Sequence, residues 1–308
     1  MARVSSTAFV LLLIAASAAA FALTQHAKLE RSPIYAAHID AVFSPNGKAK
    51  PVANIAFRVR PRERIDVWVQ STKGDRVATL LSNRVVAPNA RVDLVWDSIT
   101  ASGAAVPDGV YHPVVKLLRS HRTIVLPSDI RLDTRPPVIT VHRPQYPIIS
   151  PDGDGHGDVF RIPYHVNEPA HAILLLRGNQ IVFTRSRKET GTLVFTGRSR
   201  RGKPLRPGRY VLAAAAQDTA GNRSKGFPFA IVQVRYVTLA RPRVTVRPGG
   251  RFAIRVSTDA SSVRWYLRGR SGVQRRGTLH FRAPRKAGVY HLYVSVGSHT
   301  AVCAVVVG

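Results

Sequence analysis

The chain has 308 residues, with 46 Lys and Arg against 17 Asp and Glu, a formal charge of +29. Its single cysteine excludes an intramolecular disulfide and a cysteine-based zinc site. An apolar fraction of 45% is ordinary for a globular chain and too high for a disordered one, and 21 prolines spread along the sequence argue against long helices.

Residues 1–30 read as a signal peptide or a membrane anchor. Arg3 precedes sixteen uncharged residues, Ala8–Leu23, and Ala20-Phe21-Ala22 offers small side chains for cleavage before Leu23. A spanning helix wants about 20 apolar residues and a leader about 7–15, so both readings stay open. Either one places the rest of the chain outside the cytoplasm, and an uncleaved 8–23 segment would also hold it to the membrane.

The remainder carries a repeated landmark. Gly109-Val110-Tyr111, Gly208-Arg209-Tyr210 and Gly288-Val289-Tyr290 each follow a turn and precede an apolar stretch. Phe43-Ser44-Pro45-Asn46-Gly47 and Ile149-Ser150-Pro151-Asp152-Gly153 form a second repeated signature. Each is followed by period-two alternation: Ile55, Phe57 and Val59, then Phe160, Ile162, Tyr164 and Val166. Alternation marks strands with one buried face. Turns such as Lys73-Gly74-Asp75, Ser102-Gly103 and Arg177-Gly178-Asn179 separate the strands at short intervals. The expected fold class is all-β, with three tandem β-sandwich domains over 36–135, 136–238 and 239–308. Asp133–Pro137 and Ala240-Arg241-Pro242 read as linkers, and the short third unit is expected to hold six or seven strands.

Val95-Trp96-Asp97, Gly103 and Val106-Pro107-Asp108-Gly109-Val110-Tyr111 resemble the Ig-like module of flagellar hook-capping (FlgD-type) proteins. Ser98 stands where that pattern has glycine, and Phe195 stands in the second unit where the first has Trp96. Gln217-Asp218-Thr219-Ala220-Gly221-Asn222 is similar to the D-x-A-G-N hairpin of bacterial Ig-like domains. The whole arrangement resembles actinobacterial envelope proteins with an N-terminal anchor and tandem Ig-like modules. The resemblance implies Ig-like sandwiches and says little about function, since this fold serves many roles. The leader-like N-terminus disfavours a hook-cap role.

Chemistry-bearing residues are sparse. Asp152, Asp154 and Asp158 fall at positions 1, 3 and 7 of a glycine-rich loop, a pattern that could present oxygens to calcium. Pro163 at position 12 and His156 at position 5 exclude an EF-hand. A looser calcium loop and a turn of solvated carboxylates both fit the pattern. The first unit has Asn46-Gly47-Lys48-Ala49-Lys50 at the equivalent place, so a metal is not a shared need of the module. No catalytic or organic-cofactor motif is present. Cys303 and the tryptophans Trp68, Trp96 and Trp265 read as core residues, and the three Gly-x-Tyr tyrosines as corner hydrogen bonds.

Charge rises along the chain. Residues 36–135 carry 15 bases and 9 acids, 136–237 carry 15 and 6, and 238–308 carry 13 and 1. Arginine supplies 37 of the 46 bases, and its forked donors suit phosphate and carboxylate. The expectation is a non-enzymatic extracytoplasmic envelope protein for adhesion, scaffolding or assembly. The alternative is a module that binds anionic cell-wall polymer or glycan through its basic C-terminal domain. Partners are then anionic surface polymer or other envelope proteins. Nucleic acid is disfavoured by the export signal and the lack of a recognition motif.

Overall fold

The computed structural model describes residues 9–18, 31–100, 102–142 and 147–308. Residues 9–18 are helical, and no helix among the described residues is long and apolar enough to cross a membrane. The cleavage sequence Ala20–Ala22 lies outside the described residues, as do residues 1–8 and the remainder of 19–30. Among the described residues from 31 onward the regular structure is all strand.

The described residues form two compact units. One runs to Asp133 without Asn46–Ala49; the other is Asn46–Ala49 with Thr134–Gly308. The division falls inside the Asp133–Pro137 segment predicted as a linker.

The first unit contains β1 (Ile34–Ile39), β2 (Val42–Phe43), β3 (Ala53–Val59), β4 (Glu63–Ser71), β5 (Arg76–Val86), β6 (Ala90–Trp96), β7 (Gly109–Leu117), β8 (Arg122–Val125) and β9 (Ile130–Leu132). Strands β1-β3-β6 form one sheet and β2-β9-β7-β4-β5 the other, with β8 against β7. The alternating residues Ile55, Phe57 and Val59 are all buried between them. Trp96 lies in the centre, its ring 5.3 Å from Phe43 and 5.1 Å from Tyr111.

The second unit holds two cores. The first of these is built from β10 (Ile139–Val141), β11 (Ile148–Ile149), β12 (Phe160–Leu176), β13 (Asn179–Phe183), β14 (Lys188–Phe195), β15 (Gly208–Gln217) and β16 (Phe227–Val234). Strand β12 is 17 residues long and serves both layers. Its first half pairs with β10 and β14, its second with β13 and β15, and the register breaks between His165 and Ala170. Pro169 falls in that break, where a residue without an N–H donor does least harm to a ladder.

The other core is built from β17 (Thr238–Leu239), β18 (Arg243–Val246), β19 (Arg251–Ser257), β20 (Ser262–Leu267), β21 (Arg270–Arg275), β22 (Thr278–Arg282), β23 (Gly288–Val296) and β24 (His299–Val307). Its sheets are β17-β19-β22 and β18-β24-β23-β20-β21. It therefore has eight strands, where six or seven were expected. The predicted linker Ala240-Arg241-Pro242 divides its opening strand into β17 and β18. It does not separate this core from the one before, because β17 already pairs with β19.

The same closure recurs in all three. β1 runs antiparallel to β3 and β2 parallel to β9; β10 antiparallel to β12 and β11 parallel to β16; β17 antiparallel to β19 and β18 parallel to β24. One split opening strand thus serves both layers of each sandwich.

The recurrent tyrosines bend back onto the turn before them. Tyr111 Oη donates to the Pro107 carbonyl at 2.6 Å, Tyr210 to Arg206 at 2.9 Å and Tyr290 to Lys286 at 3.0 Å. Tyr111→Phe should cost about 1 kcal/mol and lower the melting temperature of the first unit by about 4–8 °C, read by calorimetry.

Glu63 is buried, and its carboxylate accepts the N–H groups of Arg64 (2.9 Å) and Arg119 (2.8 Å) and the Ser120 hydroxyl (3.1 Å). Burial acts to raise its pKa, but these donors outweigh burial and hold it below the usual 4.5. The resulting stability is present above the unfolded value and is lost as pH falls through the folded one. Glu63→Ala should destabilise the first unit by about 2 kcal/mol at neutral pH. Glu63→Gln should flatten the acid limb of its stability–pH curve, measured by urea denaturation.

Candidate functional site at the Asp152–Asp158 loop

The loop between β11 and β12 is shaped by alternate glycines. Gly153, Gly155 and Gly157 have φ of +84°, +88° and +60°, a region that side chains with a Cβ rarely occupy. The chain can therefore fold back so that one carboxylate oxygen from each of Asp152, Asp154 and Asp158 lies within 4.8 Å of the others. All three predicted residues are brought together.

Local hydrogen bonds hold the carboxylates. Asp158 accepts the N–H of Gly153 at 2.6 Å and of Gly155 at 2.8 Å. Asp152 accepts the Ser150 hydroxyl at 3.1 Å and the Asp154 N–H at 3.3 Å. Asp154 accepts the His156 N–H at 2.7 Å, and the exposed His156 ring nitrogen stands 3.8 Å from the same oxygen. Asp152 is buried, whereas Asp154 and Asp158 are half-buried.

Burial pushes the Asp152 carboxyl above the usual carboxylate range. The Ser150 hydroxyl offsets part of the rise, and the like charges of Asp154 and Asp259 add to it. Asp259 was not anticipated from the sequence. It belongs to the last core, and a Cβ added at Gly157 would stand 2.5 Å from its Oδ2. The loop also meets the β23–β24 turn. Ser298 donates to the Asp152 carbonyl through its N–H at 2.8 Å and its hydroxyl at 3.0 Å, and a Cβ at Gly297 would collide with that carbonyl. Beside this contact, the Tyr236 and His299 rings stack at 3.5 Å between centroids. The loop therefore does two things at once: it gathers carboxylates and forms part of the joint between two cores.

Three carboxylates around one point suit a hard divalent cation, with water completing the six to eight oxygens calcium takes. Without a cation they repel each other. Asp152→Asn removes one of the charges. In chelator it should melt at or above the wild-type temperature; if the loop holds calcium, the ion should raise the wild-type melting temperature without raising the variant's, as followed by scanning fluorimetry.

The other singled-out residues are structural in placement. Trp96 and Cys303 are fully buried, and burial pushes the Cys303 thiol up. Trp68 is buried, with Arg76 stacked 4.2 Å over its ring. Trp265 packs against the core of the last sandwich as expected, edge-on to Phe281 at 5.2 Å, but it is only half-buried and also lines a surface hollow. Asp218 accepts the Gly221 N–H at 2.7 Å and the Asn222 N–H at 2.9 Å, so the D-x-A-G-N hairpin is pinned by its own aspartate.

No family model matches the chain, and no curated protein does. Solved structures align with it. Fibronectin(III)-like modules of CbhA from Clostridium thermocellum share 16% identity over 65% of this chain and 94% of theirs, with a TM-score of 0.35. By its own sheets the chain is built of β-sandwiches in tandem, each closed by the split opening strand. The three N-terminal domains of the Hoc protein of bacteriophage RB49 align at 11% identity over 88% of this chain and 98% of theirs, TM-score 0.28. A structure from a 1.5-MDa bacterial ice-binding adhesin aligns at 12% over 91% of this chain and the whole of its own, TM-score 0.27. These are likenesses of fold alone.

Proposed function

We propose that this chain is a non-enzymatic extracytoplasmic envelope protein whose three sandwiches, over 36–135, 136–238 and 239–308, serve adhesion, scaffolding or assembly. The observation that carries this reading is that conspicuous polar residues are spent on architecture. Tyr111, Tyr210, Tyr290, Glu63 and Asp218 each hold a turn or a strand end. The leader-like 1–30 supports a place outside the cytoplasm. The FlgD-type resemblance of Val95–Tyr111 belongs to the same reading, as a likeness of module. The Asp152–Asp158 loop is read as a calcium site that would stiffen the joint it occupies, supported by the closeness of its three carboxylates.

A second reading adds a ligand: anionic cell-wall polymer or glycan held by the last sandwich. It is favoured by the 13 bases and single acid of residues 238–308. Salt separates the two. If the polymer reading holds, binding of the purified protein to isolated cell wall should fall steeply as salt rises from about 50 to about 500 mM. Flat binding, or none, would leave adhesion to a protein partner as the role.

A further inference from the structure

The last sandwich leaves its cations uncompensated. Among the described residues it contains no ion pair, whereas Arg91–Asp93 and Arg131–Asp133 pair in the first unit. Its one acid, Asp259, is turned toward Gly157. The outer face of β19 and β22 concentrates the excess. Arg251, Arg255, His280 and Arg282 are all exposed there. Arg251 stands directly opposite Arg282 in the antiparallel register. Like charges facing each other across a ladder destabilise a sheet. Arg282 is also held in place, because its Nε donates to the Gly249 carbonyl at 3.0 Å. Cross-strand partners have Cα atoms about 5 Å apart, close enough for two guanidinium forks to close on one acidic group.

The face continues into a hollow. A space of about 570 Å³ lies between the β20–β21 turn and the β22–β23 turn, floored by Trp265 and Phe281 and rimmed by Arg268, Arg270 and Arg285. A second hollow of about 550 Å³, beside Arg251, shares His280, Phe281 and Arg282 with the first. Arg268 and Gly269 have φ of +45° and +73°, the tight two-residue hairpin that fixes where Arg270 emerges. Both hollows lie against the same stretch of β22, His280 to Arg282, so the arginines around them make one cationic track.

Resting on the polymer-binding reading of this sandwich, we propose that the track binds a linear anionic polysaccharide. The chain would run from Arg270 to Arg251, with Arg251 and Arg282 closing on one acidic group and one sugar C–H face against the half-buried Trp265. A single small anion would not need cations at both ends. A single-stranded nucleic acid would want several exposed rings for successive bases. Here Phe281 is buried, so Trp265, half-buried, is the one ring of the two that a ligand could touch.

The test is titration of the full chain with polygalacturonate, neutral dextran and single-stranded DNA. Polygalacturonate should bind and neutral dextran should not. The double variant Arg251→Gln, Arg270→Gln should weaken polygalacturonate binding about tenfold or more, while Arg161→Gln, Arg209→Gln on the preceding sandwich should change it less than about twofold. Arg251→Gln alone should melt no lower than wild type, since it relieves the facing pair, so its weaker binding is not unfolding. Equal losses from both double variants would overturn the track and leave a generally cationic surface, with the polymer reading intact. DNA binding as tight as polygalacturonate binding would overturn the choice of polysaccharide. No binding of polygalacturonate by the wild type would overturn the track and the polymer reading together.

Discussion

The structure depends on how each sandwich satisfies its backbone. Two layers facing across an apolar core leave strand edges whose N–H and carbonyl groups must be paired or solvated. Here the opening strand splits. Its first part pairs antiparallel within one layer, and its second part crosses to pair parallel with the strand that ends the sandwich. The two ends of each module are thereby bonded through one short segment. Everything else hangs on that closure: the alternating core, the tyrosine corner at the last long hairpin, and the loops exposed at the ends.

The closure also decides where charge can go. Inner faces are filled by residues such as Ile254, Leu279, Leu292 and Cys303, so the arginines between them in sequence are driven to the outer faces. In the last sandwich this alternation places arginines at matched positions on neighbouring strands. With one acid in the module, there is no local partner to neutralise them. Three acids of the second unit are instead drawn together in the Asp152–Asp158 loop, where glycines permit a fold that crowds like charges. One unit therefore carries a carboxylate cluster at a joint and a cationic track on an outer face. Each is an unbalanced charge that a ligand of opposite sign would relieve.

Much of the fold was legible in the sequence. Ile55, Phe57 and Val59 alternate, and all three are buried in β3; Ile162, Tyr164 and Val166 do the same in β12. The three Gly-x-Tyr signatures marked three corners because a tyrosine reaching back four residues is a local matter. Asp152, Asp154 and Asp158 were found because their clustering is also local. Other features escaped. Arg241-Pro242 looks like a linker by composition, yet a proline between two short strands can equally divide one strand between two layers. Asp259 lies about a hundred residues beyond the loop it approaches. Trp265 sits in an alternating strand, and alternation distinguishes faces without telling a filled interior from a hollow at its rim.

The sequence by itself determined the periodicity of two, the turn positions, the repetition of the module and the gradient of charge. These follow from side-chain type and near-neighbour geometry, which need no knowledge of the partner strand. Tertiary structure alone decided which strands pair, that β12 serves two layers, that Ser298 meets the Asp152 carbonyl, and that Arg251 faces Arg282. Those are long-range contacts. Their register is set by burying a whole face at once, a condition no single stretch of chain encodes.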